Sequence, residues 1–233
     1  ALGYQAKTPD LENAIAIGTL AKAEGSSSVA LGYDSTTAAL NAVAIGGAKS
    51  TVGQLQGGTD PGEGNSVSIG SNANAGGSYS VAIGTGSVVA WSGGLYTGIT
   101  DLGKNSIAIG KDCICHGKDA VAIGYNVGQG STGSRGLSSV AIGTNSLASG
   151  LNDIAIAGGK AEGGVTGTGS VAIGLSAEAT APESVAIGYG GSTLASGNQS
   201  VAIGISAVAA GSSSFAFGGG RAGGQYSTGG ARL

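Results

Sequence analysis

The chain has 233 residues, of which 49 are glycine and ten aromatic, and 10% are charged; an ordinary globular domain is roughly 7% glycine and a quarter charged. This composition is neither the highly charged, weakly hydrophobic signature of disorder nor the one-third glycine with dense proline of collagen. A net charge of −3 and a pI near 5.0 leave no electrostatic footprint for nucleic acid or an anionic membrane, so neither is expected as a partner. No apolar run approaches the ~18 residues of a membrane-spanning helix.

Self-similarity organises the sequence. The pentapeptide Ser-Val-Ala-Ile-Gly, or a close variant, opens thirteen repeats. Their first apolar residues are Ile15, Val29, Val43, Val67, Val81, Ile107, Val121, Val140, Ile154, Val171, Val185, Val201 and Phe215. Fourteen residues is the minimal spacing, and longer spacings are insertions into it. Ala1-Leu2-Gly3 matches the end of the pentapeptide, so the sequence is expected to begin in mid-repeat. Counting from the first apolar residue, positions 1 and 3 are apolar, position 2 is alanine, and position 4 is glycine, suited to a sharp bend. Positions 7 and 9 are small, as in Ala21 and Ala23 or Ala177 and Ala179, while position 8 varies from Lys22 to Glu178 to Val208.

Alternation on a period of two marks strands, and two short strands with a glycine bend after each make one coil. Fourteen residues leave no room for a crossover helix. The expected fold is therefore all-β: a parallel β-roll of about 13 two-strand coils. The lumen core is expected to be Val29, Leu31, Val81, Ile83, Ile107, Ile109, Val171, Ile173, Val201 and Ile203, facing small residues from the second strand. Position 2 would then point outward, yet it is alanine in twelve of thirteen repeats. A uniformly small stripe suggests close approach by another backbone. Ala30, Ala82, Ala108, Ala122, Ala172 and Ala202 are accordingly expected to face sister chains in a homo-oligomer.

Repeated Ser-Val-Ala-Ile-Gly followed by a small-x-small strand resembles the YadA-like head of trimeric autotransporter adhesins, over residues 1 to about 218. The resemblance implies a left-handed roll, three chains side by side as a homotrimer, and Val and Ile of the motif filling the lumen. It also implies display on the outer-membrane surface of a Gram-negative bacterium and a part in adhesion to extracellular matrix protein or a host-cell receptor. Residues 219–233 are expected to be a Gly-rich tail leading toward a neck and stalk. A passive spacer with no ligand of its own is the competing reading.

Insertions are expected at 54–65, 90–105, 130–138 and 163–169, mostly after the second strand and hence on one edge of the roll. The insertion at 90–105 carries Trp91, Leu95, Tyr96 and Ile99; Trp and Tyr are enriched at binding hot spots, making this the candidate contact loop. The same side chains could instead fold back over the roll edge. Cys113, Cys115 and His116 invite a metal reading. The two cysteines, however, occupy positions 7 and 9, where other repeats place alanines, so they are expected in the lumen as small apolar fillers. No metal or other cofactor is expected. With one histidine and no nucleophile–base spacing, neither is an enzymatic activity.

Overall fold

The computed structural model describes residues 1–9, 12–50, 64–89, 103–127, 136–163, 169–189, 193–223 and 228–229. It is an all-β parallel β-solenoid of about 12 turns, with no helix among the described residues. Two compact units divide the chain, Ala1–Asp119 and Ala120–Leu233.

In the first unit the motif forms three-residue strands at Ile15–Ile17, Val29–Leu31, Val43–Ile45, Val67–Ile69, Val81–Ile83 and Ile107–Ile109. They stack in parallel in chain order, motif residue on motif residue, as in Ala16 opposite Ala30. A second sheet stacks the two-residue strands Lys22–Ala23, Thr36–Thr37, Lys49–Ser50, Asn74–Ala75, Val88–Val89 and Ile114–Cys115. Ahead of these strands, Leu2 bridges Ile17 and Lys7 bridges Lys22, both in parallel.

The second unit repeats the plan. Its three-residue strands run from Val121–Ile123 through Val140–Ile142, Ile154–Ile156, Val171–Ile173, Val185–Ile187 and Val201–Ile203 to Phe215–Phe217. The coil continues beyond residue 218, contrary to the expected boundary. Arg221–Ala222 pairs with Val208–Ala209, and Thr228–Gly229 pairs with Phe215–Ala216, so part of 219–233 belongs to the roll.

Two kinds of bend make this stacking possible. At the first, Gly18 has φ +128°, and a Cβ there would lie 2.5 Å from the Gly32 carbonyl oxygen of the next coil. Successive coils approach too closely here for any side chain. At the second bend the residue two before each motif strand is left-handed: Asn13, Ser27, Asn41, Asn65, Tyr79, Asn105 and Asp119 in the first unit, with φ between +53° and +60°. Asn and Asp tolerate that region better than most residues, which explains their frequency there. The same side chains also link coils, Asn41 Nδ2 donating to Asn65 Oδ1 at 3.1 Å and Asn105 Nδ2 to Asp119 Oδ1 at 2.8 Å. Even the bends hydrogen-bond from coil to coil through the backbone, as Gly32 N donates to Ile17 O and Ser27 N to Glu12 O. The backbone groups of each coil are thus largely satisfied by its neighbours.

The lumen reverses the expected assignment. Ala30, Ala82, Ala108, Ala122, Ala172 and Ala202 are 0% exposed and point inward, as do Ala21 and Ala23 from the second strand. The predicted lumen residues Val29, Leu31, Val81, Ile83, Ile107, Ile109, Val171, Ile173, Val201 and Ile203 flank them in strands whose burial alternates half-buried, buried, half-buried. They face outward. Among the described residues the largest fully buried side chains are Val89, Val127, Thr37, Thr193, Asp153, Cys113 and Cys115, with no Leu, Ile or Phe among them.

The reason is the width of the coil. Sheets filled by large side chains sit ~10 Å apart. A lumen lined mostly by methyl and hydroxymethyl groups is close-packed only when its two walls come nearer than that; the second strand side supplies an occasional larger filler, as at Val89 and Val127, but a Val and an Ile from every motif strand would not fit. The serine before the motif strand joins this filling. Ser28 Oγ donates to Gly25 O at 2.5 Å and Ser184 Oγ to Ala181 O at 2.6 Å, tying the second bend to the strand that follows it.

Substitution at adjacent positions separates the two orientations. Ala172→Leu must enter the lumen and is expected to cost about 1–3 kcal/mol, or to prevent folding, by overpacking. Val171→Ser faces outward and is expected to leave the β-sheet circular dichroism spectrum intact. Urea unfolding of both variants, followed by circular dichroism, checks the contrast.

Candidate functional site

With the lumen closed to them, the Val and Ile side chains form an outer apolar face on each unit. In the first unit position 1 contributes a column from Ile15 to Ile107, and position 3 a parallel column from Ile17 to Ile109. Neighbours above and below shield the flanks of each side chain but not its tip. Ile15 is 47% exposed and Ile154, in the second unit, 36%. Coils spaced ~4.8 Å apart and side chains two residues apart make the face of the first unit about 25 Å tall and two side chains wide. This strip of half-exposed aliphatic side chains is the candidate contact surface.

Exposed large side chains edge this face at position 5, just past the first bend. The first unit places Tyr4 and Tyr33 there, and the second places Leu175, Tyr189 and Ile205 on three successive repeats, along with Tyr125. The outer surface of the second sheet is mixed. Lys160 and Glu178, register partners, form an exposed ion pair at 3.1 Å, while Val88 and Ile114 are apolar neighbours in the first unit.

Three of the expected insertions follow a completed second strand, while among the described residues no second strand precedes 130–138. Lys49–Ser50, Val88–Val89 and Lys160–Ala161 each complete the second strand before the chain departs, which agrees with the sequence reading. The repeat opened by Val185 differs in the expected way, since its second strand, Leu194–Ala195, follows the added residues. Trp91, Leu95, Tyr96 and Ile99 lie outside the described residues, as does most of each expected insertion at 54–65, 90–105, 130–138 and 163–169.

Cys113 and Cys115 are both fully buried in the lumen, and the Cys113 thiol donates to Ile109 O at 3.2 Å. His116 sits half-buried at the following bend. No group of three or more metal-ligating side chains occurs among the described residues.

Asp153 is a residue the sequence reading missed. It stands where other repeats carry serine before the motif strand and is 0% exposed. Its carboxylate accepts from Gly150 N at 2.6 Å, Gly163 N at 3.3 Å, Ser170 N at 2.7 Å and Ser170 Oγ at 2.9 Å. Gly163 and Ser170 flank one insertion, so a single buried charge holds the chain on both sides of it. Serine has one oxygen and could not accept from all these donors. The signal was available in principle, as a charged residue at the serine position of a repeat that also carries extra length.

Seven segments of the chain match the model of the YadA head domain repeat (2 copies): residues 1–21, 12–35, 23–48, 64–87, 134–156, 166–190 and 195–220. They cover more than half of the sequence. The chain belongs to this family, whose head repeats imply a trimeric autotransporter adhesin-like protein. No curated protein matches the chain.

Replacing Asp153 by alanine strands the Gly150 and Ser170 amides without their acceptor. The expected cost is about 2–4 kcal/mol, with faster proteolytic cleavage between residues 163 and 170. Asp153→Ser, restoring the common residue, should fall between wild type and alanine. Thermal melts with mass-mapped limited proteolysis provide the measurement.

Proposed function

We propose that this chain is the adhesive head of a bacterial surface fibre, in which three copies associate side by side through their Val and Ile faces. The observation that carries this reading is the pair of half-exposed aliphatic columns along each unit. They are too extensive to be left in water and too regular to be incidental, and they occur in a chain of an adhesin family. The alanine stripe cannot serve as the contact, because it fills the lumen. Covering half-exposed Val and Ile contributes on the order of 1 kcal/mol per side chain, and every coil adds two such side chains per copy.

In this reading the roll is left-handed and displayed on the surface of a Gram-negative cell, as in the family it belongs to. Its targets are extracellular matrix protein, host-cell receptors or other bacteria. Contact is made by what the aliphatic faces leave outside, namely the insertions, with 90–105 foremost for its Trp91 and Tyr96, and the exposed second sheet. A spacer role would share the assembly and lack the binding.

Two measurements test the proposal. Sedimentation equilibrium is expected to give three times the 21.8 kDa chain mass, and Val140→Ser with Ile142→Ser should lower it toward one chain while the β-sheet spectrum survives. A solid-phase assay on collagen, fibronectin, laminin and host cells should show binding that falls at least tenfold when 90–105 is deleted. Binding to none of these by the wild-type trimer would leave the spacer reading in its place.

A further inference from the structure

Repetition gives the apolar face a difficulty of alignment. In the second unit Val171, Val185 and Val201 follow one another in one outward column, and Ile173, Ile187 and Ile203 in the other. Each step is ~4.8 Å. A second copy laid against these columns and displaced by one coil meets nearly the same two columns and forfeits only the contact at the end, with just the uneven position-5 edge (Leu175, Tyr189, Ile205) to tell one height from the next. Such a face selects a partner of the same kind, but it selects the partner's height weakly, as any pattern repeated along a line must.

The columns change character at one place. Phe215 and Phe217 take the Val and Ile positions, in register with Val201 and Ile203. Their ring centroids lie 4.5 Å apart with the planes at 47°. Phe217 is 51% exposed, above Ile142 and Ile154 in the same unit. Ala216 between them is fully buried, so the rings point away from the lumen and stand beyond the aliphatic surface. The next strand, Thr228–Gly229, sets a threonine position against Phe215 and a glycine against Ala216, so the aromatic step is bounded on both sides by something unlike itself.

We propose that Phe215 and Phe217 are the alignment key of the homotrimer: the ring pairs of the three copies meet one another and fix all copies at the same height. The proposal rests on the reading that the Val and Ile faces are the contacts between copies. Aligned copies place ring against ring, where aromatic side chains gain from tilted and offset packing. A copy displaced by one coil sets its rings against the narrower Val201 and Ile203, and its wide side chains then prop the faces apart. The aliphatic columns thus supply most of the contact area, while the two rings supply its position.

These are the chain's only two phenylalanines, which makes the test direct. Trimers are assembled from copies carrying ¹³C-labelled phenylalanine rings mixed with unlabelled copies, and isotope-filtered NOE spectra report contacts between copies. The expected result is ring-to-ring cross-peaks between copies. Trimeric mass with ring cross-peaks solely to aliphatic methyls, or with none between copies, overturns the alignment key and leaves the trimer standing. Monomeric mass overturns both. The double variant Phe215→Val, Phe217→Ile restores the repeat's own residues and should fold; it is expected to associate about tenfold more weakly, with doubled signals from Ile203 as displaced copies appear. Unchanged association and a single set of signals would also overturn the proposal.

Discussion

The narrowness of the coil is the constraint from which the other features follow. Two strands of three and two residues, joined by bends that must turn within a few residues, enclose a space filled chiefly by methyl, hydroxymethyl and thiol groups, with an occasional larger side chain such as Val89 or Thr37. Ala16, Ala21, Ala23 and Ser28 fill one such coil between them. Once the inside is restricted in this way, the large aliphatic residues on alternate positions of the same strand have one direction left. The Val and Ile surface of this protein is therefore on its outside by geometric necessity.

The same constraint determines where the chain can vary. Position 2 cannot grow without crowding the lumen, and Gly3, Gly18, Gly84 and Gly174 cannot gain a side chain without striking the next coil. Freedom remains at position 8, which faces out from the second sheet, and at the corner after the second strand, where extra residues can depart and return without disturbing the stack. Where that departure occurs after Lys160–Ala161, the lumen itself has adapted, with a carboxylate at Asp153 in place of a hydroxyl and four donors gathered around it.

Much of this was legible from the residues. The fourteen-residue period, the two strands per coil, the parallel stacking, the burial of positions 7 and 9 and the lumen placement of Cys113 and Cys115 all follow from spacing and size. The direction of the motif strand did not, because alternation shows that Val29 and Leu31 share a face opposite Ala30 without showing which face is inside. Hydrophobicity favoured the larger residues, whereas volume decided for the smaller. The serine and alanine of the motif lie on one face and match the small residues of the second strand in size, and that match was the available clue. Asp153 was obscured for a different reason, since its role depends on two residues, Gly163 and Ser170, brought together across added sequence. The end of the roll was misplaced because Arg221 and Ala222 occupy a repeat shortened by one residue, which breaks the spacing without breaking the coil.

A final consequence concerns load. Within each unit nearly all backbone hydrogen bonds run from one coil to the next, along the direction in which coils are stacked. A tug in that direction strains them end-on, one boundary after another, and offers no long ladder to be sheared as a whole. Stacks of this kind resist traction poorly by themselves. Neighbouring stacks pressed along a common flank splint each boundary with side chains rooted in the coils on either side, so that association would serve mechanical endurance as well as the exclusion of water.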